Sequence, residues 1–214
     1  MFEKWLRERM CTYFDSRYGG RDNRFVHVHE LLQPAATIAS LRRSMRRDDR
    51  LGYLVVGEAF ENGLAAMLRA SKPSRAYRVV KAPRRMVPDS VLAALREAGV
   101  GVREREGQLV IPIDGQTDLV VPDDPEGMTI WELKTTRSSR EREYKNKWRI
   151  QAALYAWLYR RPVRLVIVNI NDGVFEPVSE VYEPDEGWAA CYIGEWLRGS
   201  LWPWSGCPLL PRRR

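Results

Sequence analysis

An α/β fold, with a mixed central sheet flanked by helices, is what this 214-residue chain predicts, on three observations. Its elements follow one another as helices, a meander of strands, a helix, a strand pair and a last helix, an order that suits a sheet covered on its faces. The run Val163 to Ile170 is so rich in β-branched residues that it reads as a buried strand. Trp148 to Tyr159 reads as a strong helix between strands.

In chain order, residues 2–14 and the run from Glu30 to Met45 show helical spacing and predict a helical cap or arch beside the core. A helix from about Leu51 to Ala70 follows, with Phe60, Leu64, Met67 and Leu68 along its apolar stripe and Glu61 off it. Arg75 to Val87, bounded by Pro73 and Pro88, is irregular or stranded. Asp89 caps a helix to Ala98, and Gly99 stops it. Val100 to Glu106 and Gln108 to Ile113 are alternating apolar strands that turn at Gly107. Gln116 to Val121 is a further strand, Pro122 to Gly127 a turn, and Met128 to Thr135 the returning strand. Asn171-Asp172-Gly173 turns the buried strand into Val174 to Glu183, and a helix from Asp185 to Leu197 closes the core. Residues 1–50 form an N-terminal helical region and 51–214 the core with its C-terminal helix and basic tail, the two making one structural unit.

Composition narrows the function classes. With 44% hydrophobic residues and eight Trp, the chain has ample material for a core. The start, Met1 to Arg9, is charged throughout, so neither a signal peptide nor a membrane span is expected. Three cysteines without framework spacing agree with a reducing, cytoplasmic setting. A net charge of +7 favours a polyanionic partner. The basic residues fall in four clusters: Leu41 to Arg47, Arg137 to Arg149, Arg160 to Arg164, and Arg212 to Arg214. In the second, Arg137, Arg140, Arg142, Lys145, Lys147 and Arg149 join the returning strand to the next helix, where phosphate contacts would position a nucleic acid without reading its sequence.

The chemistry centres on the Pro122–Gly127 hairpin. If the chain reverses about residue 125, Asp118 stands opposite Glu132, because residues equidistant from the turn face each other in an antiparallel ladder. Side chains alternate, so Glu132 and Lys134 share a face while Leu133 points to a core. Two adjacent carboxylates repel unless one is protonated or a cation neutralises them, and all-oxygen donors suit Mg²⁺ or Mn²⁺. The Lys134 ammonium could then orient an attacking water and stabilise charge on phosphoryl oxygens. Glu61 offers a third acid. On spacing alone the plain alternative is a cross-strand salt bridge. Gln151 and Tyr155 lie one helical turn apart. His27 and His29 share a face and read as packing or surface groups, Asp114 before Gly115 as the close of a turn, and Glu104 and Glu106 as solvent-facing.

Taken together, Gly57-x-x-x-Glu61, Gly115-Gln116-Thr117-Asp118, Glu132-Leu133-Lys134 and Gln151-x-x-x-Tyr155 resemble, in order and approximate spacing, the motifs of the PD-(D/E)XK nuclease superfamily. They look most like its RecB-like branch, which includes the fourth family of CRISPR-associated proteins and related viral nucleases. The match spans residues 57 to 155. It implies a restriction-endonuclease-like core and a metal-dependent deoxyribonuclease, with exonuclease action on single strands or frayed ends. Asp118 and Glu132 would bind the metal, Lys134 assist the water, and Gln151 and Tyr155 position the lysine or the DNA. The setting implied is a prokaryote or its virus, with DNA as partner and protein partners in a DNA-processing or CRISPR adaptation complex. A structure-selective endonuclease and a catalytically silent DNA-binding protein are the competing readings. Two departures stand out: Glu61 occupies the place where most such nucleases carry a His ligand, and the chain has only Cys11, Cys191 and Cys207. Three thiolates are one short of the usual four-Cys shell, so no iron–sulfur cluster is expected.

Overall fold

The computed structural model describes residues 22–44, 51–136, 141–171 and 174–200, together with Arg9. Its strands form two four-stranded sheets rather than one. In the first, β4 (Gln108–Gly115) runs antiparallel to β2 (Ala76–Pro83) along its whole length, with Ala76 facing Gly115 and Pro83 facing Gln108. The short β1 (Val26–His27) joins β4 in parallel and β3 (Arg103–Arg105) joins it antiparallel. The second sheet runs β5 (Leu119–Val120), β6 (Ile130–Thr136), β7 (Val163–Asn171) and β8 (Val174–Tyr182). Here β5 is antiparallel to β6, β6 parallel to β7, and β7 antiparallel to β8. The chain changes sheets just after Gly115. Gln116 donates its side-chain amide to the Pro73 carbonyl at 2.6 Å, and Val120 exchanges two backbone hydrogen bonds with Ser71, which carries β5 away from β4.

Five α-helices surround these strands among the described residues: α1 (Ile38–Ser44), α2 (Leu51–Met67), α3 (Asp89–Glu97), α4 (Glu141–Tyr159) and α5 (Glu186–Leu197). Helix α4 is the crossover that a parallel β6–β7 pair requires. From Ile150 through Leu158 every residue of it is buried, the mark of a helix enclosed on all sides. Ala152, Ala153 and Ala156 let neighbouring elements approach its axis, while Leu154 and Trp157 fill the space between them. Strand β7 alternates cleanly. Val163, Leu165 and Ile167 join the main core with α4, and Val166 and Val168 join Leu133 in a smaller core closed by Phe60 and Leu64 of α2. Each fully buried Leu or Ile in these clusters contributes about 1.5–3 kcal/mol.

Several sequence expectations change in physical detail. The Glu30–Met45 run is not one helix: Pro34 interrupts it, leaving 3₁₀ turns at Val28–Leu32 and Ala35–Thr37 before α1. Arg42 of the first basic cluster turns inward, donating to both carboxylate oxygens of buried Glu30 and to the Asn23, Phe25 and Ala98 carbonyls. Met67 lies 82% exposed instead of on the packed stripe of α2. The N-cap of α3 is Pro88, with Asp89 in the first turn paired to Arg84. Gly99 does stop that helix, at φ +81°. Among the described residues no helix is long and apolar enough to cross a membrane.

Candidate active site

The hairpin has the register the sequence implied. Leu119 faces Trp131 and Val120 faces Ile130, so Asp118 continues the ladder opposite Glu132. The ladder proper ends at Leu119, and the Asp118 side chain extends it: Oδ2 accepts the Leu133 backbone N–H at 2.7 Å. On β6, Leu133 packs into the smaller core while Glu132 pairs with the Lys134 ammonium through Oε1. Glu132 is 1% exposed, and its buried Oε2 has no hydrogen-bond partner among the described residues.

The turn that sets this register is itself locked. Asp124 accepts from the backbone N–H groups of Glu126 and Met128, from the Trp131 indole, and from the Arg164 guanidinium of β7. Although burial works against the charge, the Arg164 and backbone donors hold the Asp124 carboxyl below its usual range. Arg164 also lies over the Trp131 ring, 5.9 Å from its centre.

Glu132 is in the opposite condition. Burial, and then the nearby Asp118 charge, push its carboxyl up to about 8, against the pull of Lys134. Burial weakens the Lys134 ammonium, but the Glu132 and Asp118 charges outweigh it and hold its proton more tightly. Tyr155 is buried beside these acids, and its phenol is pushed well up by burial and then by the Glu132 and Asp118 charges. Gln151, one turn back, is buried as well, and its side chain works against that rise.

A cleft of about 290 Å³ reaches Asp118, and its lining also includes Glu61, Thr117, Tyr155, His27, Arg75 and Asp114. Tyr155 reaches it because Gly115 has no side chain. A Cβ there would meet Tyr155 Cε1 at 2.7 Å and Val28 Cγ2 at 2.8 Å, both closer than packed atoms come. Glu61 comes from α2 and pairs with Lys72 at 2.9 Å. Its charge is felt at both Glu132 and Lys134.

The sequence profile of the PD-(D/E)XK nuclease superfamily matches residues 26–193. This chain belongs to that superfamily. Among solved structures it is similar to the crystal structure of SSO0001, with a TM-score of 0.59 at 16% identity over 92% of this chain and 85% of the other, a likeness of fold. No curated protein sequence matches it.

PD-(D/E)XK nucleases typically work with divalent metals such as Mg²⁺, and the donors here fit such an ion: carboxylates only, one with an orphaned buried oxygen and a raised pKa. Asp118 and Glu132 are the two carboxylates that would hold it. Among the described residues, no group of three or more His, Cys, Asp or Glu side chains is arranged as a metal cage, and Glu61 sits with Lys72. Of the six basic residues expected to line DNA, Arg137 and Arg140 lie outside the described residues, as do the side chains of Arg142 and Lys145. Lys147 is half-buried, and Arg149 is forked onto Glu180 of β8 at 2.7–3.2 Å. Cys191 is an exposed thiol on α5, while Cys11 and Cys207 lie outside the described residues.

Asp114 is a correction to the sequence reading, whereas His27 is the packed group expected, 6% exposed and stacked on His29. Asp114 closes no turn: it lies within β4, 1% exposed, bound to His27 Nδ1 and to Arg75 at 3.1 Å. The Asp-Gly pair imitated a turn signal, whereas Gly115 serves the close approach of α4. His27 and Asp114 are neighbours only through the parallel β1–β4 pairing, 87 residues apart, which no local pattern announces.

Proposed function

We propose that this chain is a divalent-metal-dependent deoxyribonuclease of the RecB-like branch, hydrolysing phosphodiester bonds at single-stranded or frayed DNA ends. The observation that carries the reading is the buried Glu132 set against Asp118 and Lys134, a pair of acids held at one point with an oxygen left over. Asp118 and Glu132 would hold a divalent cation, whose chemistry would be that of a Lewis acid toward the scissile phosphate and the attacking water. The chain's own groups do the rest. Lys134 orients the water and stabilises the charge growing on phosphoryl oxygens. Tyr155, backed by Gln151, holds one wall of the site against the acids and limits where water can stand. Glu61 supplies further negative charge from α2, and reaches a cation by exchanging Lys72 for it. Arg137, Arg140, Arg142, Lys145 and Lys147, with Arg149 anchoring α4 to β8, guide the phosphate backbone toward the cleft. CRISPR adaptation, recombination and viral genome processing are the settings that match such an activity.

The test is a time course on end-labelled single- and double-stranded DNA with Mg²⁺, Mn²⁺ or a chelator. Metal-dependent shortening from an end is expected, falling by about 10²–10³ in Lys134→Ala. Uncut DNA in every metal, or a Lys134→Ala protein as active as its parent, would reject the assignment. Cutting confined to branched or palindromic duplex by a two-fold dimer would mark a structure-selective endonuclease instead.

A further inference from the structure

The cleft that Asp118 lines is also lined by His27, Arg75 and Asp114, a buried cluster to which the hydrolytic chemistry gives no task. His27 carries a side chain 8% exposed, and its Nδ1 is committed to Asp114, whose own side chain is 2% exposed. Asp114 uses its second oxygen on Arg75, which is 40% exposed and has further N–H groups to give. His29 stacks on His27 with ring centres 5.7 Å apart and planes 7° from parallel, fixing the imidazole's plane. His27 Nε2 makes no hydrogen bond among the described residues, though the imidazole is over nine-tenths buried and borders the cleft. A buried carboxylate that grips one imidazole and one guanidinium leaves each with a donor position pre-set toward a common space.

We propose that His27 and Arg75 form a phosphate subsite, taking a DNA phosphate group one nucleotide removed from the bond that is cut; this rests on the nuclease reading. The roles divide between neighbouring groups. Asp118 would help hold the cation that engages the scissile phosphate, while the His27 imidazole and the Arg75 guanidinium receive a neighbouring phosphate directly. Charge-assisted donation from a planar guanidinium suits phosphoryl oxygens, and Asp114 behind them keeps both groups from swinging away. The cleft, at about 290 Å³, is of the size of a small-ligand site, and a strand-terminal phosphate, which carries more charge than an internal diester, is the occupant that a guanidinium would hold best.

Binding in a chelator separates this inference from the reaction. Fluorescently labelled single-stranded oligonucleotides carrying a terminal phosphate or a terminal hydroxyl at either end, and others with a neutral methylphosphonate at the penultimate linkage, are titrated with the full chain. A terminal phosphate should tighten binding about tenfold at one end, and Arg75→Ala should erase that preference. His27→Gln should do the same, with a thermal melt confirming its fold. Sensitivity to the methylphosphonate alone, likewise erased by Arg75→Ala, assigns the subsite to an internal diester. Wild-type binding indifferent to every phosphate change, or a preference that persists in Arg75→Ala, overturns the proposal. Phosphate-dependent binding without cleavage in any metal would leave the subsite standing and remove the nuclease reading.

Discussion

Asp124 and Glu132 are buried carboxylates eight positions apart on one hairpin, and they meet opposite fates. Asp124, in the turn, is surrounded by donors from four residues and is held ionised. Glu132, mid-strand, has one ammonium, one orphaned oxygen and a like charge beside it, and is pushed to about 8. Both cost desolvation free energy, but only the first recovers it within the fold. A buried carboxylate whose donors are all within the fold is structural; one with a strongly raised pKa and a like charge beside it is a candidate for function.

The contrast can be broken from either end. Asp124→Ala removes the buried partner of the Arg164 guanidinium and leaves it only Ser179 and the exposed carboxylate of Glu126; breaking such a buried pair costs up to about 3–5 kcal/mol, read by chemical denaturation. Because the turn sets the register of Asp118 and Glu132, cleavage should be lost along with stability. If Asp124→Ala unfolds at the parental midpoint, the turn is not the lock described here.

Glu132→Gln should act in the reverse sense on the metal-free protein. The folded-state pKa of Glu132 is raised from 4.5 to about 8, so the folded chain holds this proton more tightly than the unfolded chain does. Its contribution is fully present below pH 4.5 and is lost as pH rises toward about 8. The parent should therefore lose on the order of 2–4 kcal/mol across that window. Glu132→Gln, which cannot ionise, should lose much less and be the more stable protein at pH 8. Parallel stability curves for the two proteins would contradict the raised pKa.

A smaller effect is expected at Gly115. Adding a methyl group at 2.7 Å from Tyr155 and 2.8 Å from Val28 should cost about 1–3 kcal/mol through overpacking. Displacing Tyr155 should slow cleavage more than it weakens DNA binding. A Gly115→Ala protein with unchanged melting and unchanged cleavage would mean that α4 approaches β4 less closely.

The same contrast explains what was legible in the sequence. The hairpin register followed from counting outward from residue 125, and Leu133 fell on the core side as alternation requires. Helix α4 was readable because its apolar residues continue around every face. What escaped depends on pairs far apart in the chain: His27 with Asp114 through a parallel bridge, Arg164 with Asp124 across the second sheet, and Arg42 folded back onto Glu30. The division into two sheets escaped as well, because it rests on Gln116 and Val120 finding Pro73 and Ser71 rather than on any strand propensity. Charged side chains in a basic run look alike in sequence whether they meet solvent or close a core.

The central claim is that Asp118 and Glu132 are a cation site awaiting its ion, and calorimetric titration with Mn²⁺ tests it most directly. Near pH 7, in buffers of different ionisation enthalpy, binding should be accompanied by release of about one proton per chain as Glu132 gives up its hydrogen, and Glu132→Gln should lose that release and bind more weakly. Binding with no proton released, or binding as tight in Glu132→Gln as in the parent, would show that the buried acid pair is not where the metal goes.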